Sequence, residues 1–458
     1  MADRLLVIGG DAAGMSGAHQ AVRTARARGV ALEVVALEMS GHTSYSACGI
    51  PYWMAGDVAD GDRLVARTAA EHRAAGIDLR MQHEAMALDL DARRCEVRDH
   101  ATGVTSSIGF DQVLIATGAA PVVPEWAAGL DRVHPVKTLD DGASWARLLA
   151  DRPRTALVVG GGYIGVEAAE AFARRGITTT LVTRGEDLMA ATLEPGTAAA
   201  ARAGLEAIGV RVVCGTEIEG ALSDPGGGVR AVCVGGDEYP AEVVALGLGV
   251  TPRVELAAAA GLPLGGPVLK GALVPDDRQQ VGDGVWAAGD CTAVRDRLLE
   301  EAWYVPLGTH ANKCGRVAGT NIGGGHARFP GSVGTAITRA GEVEIARTGL
   351  MPRWAEERLG LTTITRRLDS TTTSGYMPQA SPMTVWVMAD ATSGRLLGAQ
   401  ISGGTGAGKR IDIAATALTA GLTAAEVAYL DLAYAPPFSP TWDPVQIACR
   451  SLAERIGR

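Results

Sequence analysis

No run of about 18 uninterrupted apolar residues occurs in this 458-residue chain, so no membrane-spanning helix is expected. Basic charge is not in surplus either: 42 Lys and Arg stand against 51 Asp and Glu, a net charge of −9. Phosphate-rich partners normally select the opposite balance, which argues against a nucleic-acid-binding protein while leaving room for a local basic pocket that takes a phosphorylated small molecule. No two of the seven cysteines stand at CxxC spacing, so neither a disulfide framework nor a zinc site is suggested. Cysteine chemistry, if present, must come from one thiol acting individually. No cleavable export signal is expected, because the chain runs from Met1 straight into a short apolar strand and a glycine turn ending at Gly14. A cytoplasmic protein without membrane or nucleic-acid partners is expected.

The chain does have glycine, 60 residues of it without a triplet period. That suits many tight turns and close backbone approaches. The length suits two or three domains. Arg4–Ile8 reads as a strand, Gly9 to Gly14 as a turn, an Ala-rich stretch to about Arg28 as a helix, and Val34–Leu37 as a second strand closing on Glu38. The same order recurs about 150 residues on. Thr155–Val159 is a strand, Gly160, Gly162 and Gly165 mark the turn, a helix runs to about Arg175, and Thr178–Val182 ends at Thr183. From about Phe329, strands rich in Thr, Val and Ile alternate with turns, and a helix over Ile411–Ala420 precedes a Pro-rich tail.

Each glycine turn meets the same physical demand. The backbone must turn sharply and bring a pyrophosphate against amide N–H groups at a helix N-terminus, where the helix dipole favours anions. A carboxylate ending the second strand can accept from ribose hydroxyls, and Glu38 meets that requirement. The first turn departs from G-x-G-x-x-G, with Asp11 and Ala12 following Gly9 and Gly10. The second, Gly160-Gly161-Gly162-Tyr163-Ile164-Gly165-Val166-Glu167, is complete. There the ribose acid is replaced by Thr183, with Arg184 next, which favours a 2′-phosphate and hence NADPH over NADH.

Leu114-Ile115-Ala116-Thr117-Gly118 before the second unit, and Val285-Trp286-Ala287-Ala288-Gly289-Asp290 after it, resemble segments of the flavin-dependent pyridine nucleotide-disulfide oxidoreductases. The resemblance implies an α/β fold with two Rossmann-like dinucleotide-binding domains, for FAD and NAD(P), and a C-terminal α+β dimerisation domain. The expected boundaries are 1–118 and 251–328 for the FAD domain, 119–250 for the NAD(P)H domain and 329–458 for dimerisation. It gives Asp290 the ribityl chain of FAD, has Tyr163 cover the empty nicotinamide pocket, and adds Gly249 and Pro306 to the cofactor set.

The segment Ser44-Tyr45-Ser46-Ala47-Cys48-Gly49-Ile50-Pro51-Tyr52 resembles the S-x-x-x-C-x-x-P-Y segment of coenzyme A disulfide reductases. Pro51 suits a helix's first turn, placing Cys48 near a helix N-terminus, where a thiolate is stabilised. Tyr434, in a Y-A-P-P-F-S segment, and Tyr376 match two family tyrosines. By resemblance these reach the partner subunit's cysteine and protonate the leaving thiolate in an obligate homodimer whose active site is shared; packing at the dimer interface is the plainer role for Tyr434. Gln20, Arg23 and Ser44 are the implied substrate contacts, but an expected lysine near Ala74–Gly76 is absent, with Arg73 the nearest cation.

The expected activity is NADPH-dependent reduction of coenzyme A disulfide, or a related small disulfide, through a Cys48 mixed disulfide. Alternatives are an NAD(P)H oxidase, a persulfide or polysulfide reductase of the same fold, and an FAD-dependent redox-sensing binding protein. Ala12 stands where the single-cysteine oxidases carry a histidine, and a persulfide enzyme fused to a rhodanese-like domain after residue 458 is not expected. Gly403-Gly404-Thr405-Gly406-Ala407-Gly408-Lys409 mimics a P-loop, but Arg410 occupies the place of the magnesium-binding Ser or Thr.

Overall fold

The strand Asp3–Ile8 buries four consecutive residues, Leu5 to Ile8, as a central parallel strand covered on both faces must. It pairs in parallel with Leu32–Glu38 on one side and Gln112–Ile115 on the other. The computed structural model describes residues 3–223 and 227–456. In it the first sheet has six strands, in the order Gln280–Gly282, Val285–Ala287, Gln112–Ile115, Asp3–Ile8, Leu32–Glu38, Asp78–Met81. The chain therefore leaves this sheet after residue 115 and returns to complete it at residue 280. All neighbours pair in parallel except Gln280–Gly282, which is antiparallel to Val285–Ala287.

The excursion builds a second parallel sheet of five strands: Arg211–Val213, Thr178–Val182, Thr155–Val159, Val243–Leu246 and Val133–Pro135. Thr155–Val159 again has four buried residues in a row. A third sheet, wholly antiparallel, runs Ala336–Ala340, Val343–Gly349, Leu396–Gly403, Pro382–Asp390, Thr363–Thr371. The helices Ile411–Ala420 and Pro444–Ala453 share its apolar core, with Ile411, Leu418, Val445 and Leu452 packed among residues such as Val385, Val387 and Ile401. The architecture is thus α/β with two dinucleotide-type sheets and a C-terminal α+β unit.

The two glycine turns are near copies. Gly9 (φ 112°) and Gly160 (φ 107°) occupy the left-handed half of backbone space, and a Cβ on either would strike a carbonyl oxygen, of Ala116 at 2.1 Å or of Gly247 at 2.4 Å. The third glycine of each turn serves packing instead. A Cβ on Gly14 or Gly165 would lie 1.8 Å from the carbonyl oxygen of Gly9 or Gly160, so these residues let the helix seat on the turn.

The P-loop mimic is filled from within. The Glu344 carboxylate accepts from the Gly406 N–H at 3.0 Å and the Gly408 N–H at 2.7 Å, so an acid already satisfies the amides that a phosphate would need. Beside it, the mostly shielded Arg410 donates to the buried Asp443 carboxylate at 2.9 Å, to the Thr372 carbonyl at 2.6 Å and to the Phe438 carbonyl at 2.7 Å. This one guanidinium ties the Pro-rich tail to the third sheet. Arg410→Met would strand a buried carboxylate and two carbonyls, and is expected to cost roughly 3–5 kcal/mol. Calorimetry should show the C-terminal unit melting earlier; an unchanged transition would show that the tail is held by packing alone.

Candidate active site

Both helices that start at the glycine turns begin without a side-chain cap. Ala12–Ala27 has Asp11 and Tyr163–Arg174 has Gly162 at the cap position, and neither cap side chain accepts a helix N–H. Their first-turn amides are thus left to other partners, and a helix N-terminus with free N–H groups is built for an anion. Both turns open into one continuous cavity of about 2800 Å³, which also exposes Cys48.

Most of the residues singled out in the sequence line this cavity. Gly9, Asp11, Ala12, Glu38, Ala116, Thr117 and Gly118 lie at the first turn, with Gly289, Asp290 and Pro306 beside them. Gly160, Gly162, Tyr163, Ile164, Thr183, Arg184 and Gly249 lie at the second, and Glu167, Arg23 and Ser44 line the same cavity as Cys48. Gly14 and Gly165 do not reach it, for the packing reason given above. Gln20 does not line it either: its amide donates to Thr24 at 3.0 Å and its oxygen accepts from Arg23 at 2.8 Å. Tyr376 and Tyr434 are exposed on the C-terminal unit and lie outside this cavity of the single chain. Arg73 is also diverted, donating to the Leu79 carbonyl at 2.9 Å.

At the first turn Glu38 is buried and bound to backbone, accepting from Gly10 N–H and Ser40 N–H, each at 2.8 Å. Asp11 does not turn toward its own helix. Its carboxylate accepts from the Tyr45 N–H at 3.2 Å, while the buried Thr43 hydroxyl donates to the Gly10 carbonyl, so the turn and the cysteine loop are stitched together. Burial pushes the Asp11 carboxyl up to about 6, against the Tyr45 hydrogen bond. Lys137, which the sequence reading missed, donates to Asp290 at 2.9 Å in a largely shielded pair. Tyr304 donates to the Asp290 carbonyl at 2.9 Å. Lys137 lies in no motif, and only the fold brings it to Asp290.

Cys48 sits in a short 3-10 turn, Ala47–Gly49, leading into the helix Ile50–Ala55 with Pro51 in its first turn. That helix is clamped to the second unit. Arg174 grips the Asp57 carboxylate at 2.6 Å and Arg175 donates to the Met54 carbonyl. The expected stabilisation of the thiolate is not what dominates. The surrounding protein pushes the Cys48 thiol up through desolvation, the nearby Glu167 charge adds to this, and Lys137 opposes both. Glu167 itself is pushed up to about 7 by burial, although the Thr338 hydroxyl donates to it at 3.0 Å. One helical turn on, Glu170 accepts from Arg339 at 2.6 Å and from the Gly341 N–H at 3.1 Å, joining this helix to the third sheet.

Near the first helix lies a group that no motif announced. His19, Arg67 and the buried His72 line the cavity with Ser44 and are linked by hydrogen bonds of 2.8–2.9 Å. Ser44 was among the expected substrate contacts; His19, Arg67 and His72 stand in no motif, and only the fold brings them to it.

Among the described residues, no group of three or more His, Cys, Asp or Glu side chains could hold a metal ion, and no helix is long and apolar enough to cross a membrane. Comparison with known proteins matches residues 3–307 to the pyridine nucleotide-disulphide oxidoreductase model and residues 336–444 to the dimerisation domain of the same family. An NAD(P)H coenzyme A polysulfide/persulfide reductase of Pyrococcus horikoshii is 32% identical over 99% of each chain. An NADH oxidase of Methanocaldococcus jannaschii is 29% identical, again over 99% of each. The solved structure of an NAD-dependent persulfide reductase from A. fulgidus superposes with a TM-score of 0.92 at 30% identity, over 99% of this chain and 83% of that one.

Replacing Glu167 by Gln removes a negative charge from beside the sulfur. The pH profile of Cys48 alkylation by iodoacetamide is therefore expected to move to lower pH, by up to about one unit. An unmoved profile would mean that the Glu167 charge does not act on the thiol.

Proposed function

Because the chain belongs to the pyridine nucleotide-disulphide oxidoreductase family, whose members work with FAD and NAD(P)H, we propose that it reduces a small disulfide through a mixed disulfide on Cys48. The observation that carries this reading is the placing of one exposed thiol in the cavity shared by both uncapped glycine turns. FAD, when bound, supplies the transfer of an electron pair from NAD(P)H to sulfur.

The residues present fit that cofactor. The free amides at the start of Ala12–Ala27 suit its diphosphate, Glu38 its ribose hydroxyls and Asp290 its polyol chain. The amides after Gly162 suit the second diphosphate, and Tyr163, whose hydroxyl accepts from Arg347 at 3.2 Å, covers the neighbouring pocket. Arg184 favours a 2′-phosphate, though in the free chain it faces Glu217 at 3.4 Å in an exposed pair.

On the substrate side, the Cys48 thiolate attacks the incoming disulfide. One substrate sulfur becomes bonded to Cys48, and the other leaves as a thiolate that takes up a proton. Tyr434 and Tyr376 are assigned as proton donors acting on the partner subunit's thiol, which fits their exposure on a segment matching a dimerisation domain and makes the working unit a homodimer. Reduction of the Cys48 mixed disulfide by an electron pair releases the second substrate thiol and restores the thiolate. A second thiol in the protein is not required, because the substrate brings it.

A second reading, reduction of persulfides or polysulfides at the same sulfur, is favoured by what the Pyrococcus and A. fulgidus proteins are named for. The chemistry differs only in the leaving group, hydrosulfide instead of a thiol.

Cys48→Ser is expected to keep FAD, seen in its visible absorbance, and to lose disulfide reduction by roughly a thousandfold or more. Anaerobic NADPH oxidation with coenzyme A disulfide and with a persulfide, each compared with oxygen uptake in air, separates the readings. Full activity of Cys48→Ser would overturn the mechanism, and oxygen uptake equal to NADPH use would assign an oxidase. Arg184→Ala is expected to weaken NADPH binding about tenfold, the worth of one charge-assisted hydrogen bond, and to leave NADH binding nearly unchanged. Equal losses for both nucleotides would remove Arg184 from the choice.

A further inference from the structure

One face of the third sheet forms a bed for the second glycine turn. Arg347, in the strand Val343–Gly349, stands opposite Ala336 in one neighbouring strand and opposite Gln400 in the other. Directly opposed residues of antiparallel strands share a face, and so do residues two apart in one strand, which adds Thr338 to the set. Each of the three polar side chains crosses to the second unit. The Thr338 hydroxyl donates to Glu167 at 3.0 Å. The buried Gln400 accepts from the Glu194 N–H at 2.8 Å and donates to the Thr192 carbonyl at 3.4 Å. Arg347 Nε donates to the Tyr163 hydroxyl at 3.2 Å.

The three ties hold different things. Glu167 lies one helical turn after Tyr163, so its bond to Thr338, with those of Glu170 to Arg339 and the Gly341 N–H, fixes the body of the helix Tyr163–Arg174. The bonds of Gln400, with Arg353 donating to the Ala191 carbonyl at 2.6 Å, fix the loop before the helix Pro195–Ala207. The remaining tie, from Arg347, fixes no backbone. It holds the tip of an aromatic ring on the cavity wall.

That ring has room to swing once the tie is broken. Tyr163 is the first residue of its helix, so no preceding turn limits its rotamers. Beside it, a Cβ built on Gly162 would meet nothing within 4 Å. The donor has no such freedom, because Arg347 sits inside a strand paired on both edges. Among the described residues the Arg347 guanidinium has no carboxylate at ion-pair distance and no second hydrogen-bond acceptor. It does not line the cavity, so it acts on a bound nucleotide only through Tyr163.

We propose that Arg347 is a positioning residue for nucleotide entry: it latches Tyr163 over the nicotinamide pocket, and an incoming nicotinamide ring must break the hydrogen bond from Nε to the hydroxyl before it can enter. The inference rests on the reading that the second glycine turn takes the nicotinamide nucleotide and that Tyr163 covers its empty pocket. The latch works against binding. A nucleotide that carries the nicotinamide must open it, and its affinity is lowered by the closed-to-open ratio; a nucleotide without that ring binds with the latch shut. Because Arg347 belongs to the third sheet, entry at the second turn is set from the C-terminal unit.

The test is calorimetric binding to FAD-loaded protein of NADP+ and NAD+ and of their counterparts without nicotinamide, 2′-phospho-ADP-ribose and ADP-ribose, the tighter-binding pair being the one compared. Arg347→Met keeps most of the side chain's bulk and loses the donor. It is expected to bind the intact nucleotide about fivefold more tightly than wild type, the worth of one hydrogen bond, and the probe without nicotinamide equally well. Tyr163→Phe removes the acceptor, carries the same expectation and serves should Arg347→Met fail to fold. The double variant is expected to gain no more than either single one. A general disturbance of the site would instead move both probes together, and would count against the latch. Fluorine NMR of protein labelled with 3-fluorotyrosine reads the ring directly, its Tyr163 signal assigned by its loss in Tyr163→Phe. That signal is expected to move with the intact nucleotide. A signal that stays in place, or failure of all the probes to bind, would overturn the reading of the second turn and the latch with it. A signal that moves while both single variants bind both probes as wild type does, or while their gains add, would overturn the latch alone.

Discussion

Everything in the cavity depends on two backbone turns packed so closely that only glycine fits. The carbonyl of Gly9 lies against Gly14, and that of Gly160 against Gly165, closely enough to exclude any side chain. Each turn therefore hands its helix over with the first amides unclaimed by a cap. An uncapped helix start is a cost in an isolated protein. Here it occurs twice, at matching places in two sheets, and both starts open into the same space. A pair of anions held there would complete what the chain leaves undone, so the geometry implies two dinucleotides before any relative is considered.

The thiol is placed by the same turn. Asp11 holds the Tyr45 amide and Thr43 holds the Gly10 carbonyl, so the loop carrying Cys48 is registered against the first glycine turn and not merely near it. On the other side the helix after Cys48 is gripped by Arg174 and Arg175 of the second unit. The sulfur thus lies on the seam between the two nucleotide-type folds. Its electrostatic setting is acidic on balance, with Glu167 raising the thiol and Lys137 opposing from its pair with Asp290. Glu167, pushed up to about 7 by burial, stands in the first turns of the helix Tyr163–Arg174.

Local features were the legible ones. Both strand–turn–helix units, the helix Ile411–Ala420 and the turn before it could be read from a few adjacent residues, because hydrophobic runs and glycine spacing act over short distances. The P-loop mimic shows the limit of a motif: its spacing was nearly right, but Glu344, some 60 residues away in sequence, fills the loop. Gly14 and Gly165 were read as cofactor contacts when their work is packing, since the motif does not say which way each glycine faces. His19, Arg67 and His72 escaped because each is unremarkable in its own segment, whereas Ser44 was expected as a substrate contact. Arg73 was named as the nearest cation to a missing lysine, and the fold turns it to a carbonyl while Arg67 takes a place on the cavity.

These particulars bear on why relatives with one architecture carry different names. The glycine turns, Glu38 and Asp290 belong to the electron supply, which disulfide reduction, persulfide reduction and oxygen reduction have in common. What distinguishes those reactions must lie at the far side of the sulfur, where the second reactant arrives. Along the same cavity this chain carries an alanine at position 12, Arg23 and Arg67 without a carboxylate at ion-pair distance among the described residues, and a His19–His72 pair hydrogen-bonded to Ser44. Dioxygen has no charge for such a group to recognise, and a bare polysulfide offers no phosphate or carboxylate. A thiol carrier with an anionic tail does, so the substrate-side residues argue for sulfur delivered on a carrier, whether as a disulfide or as a persulfide.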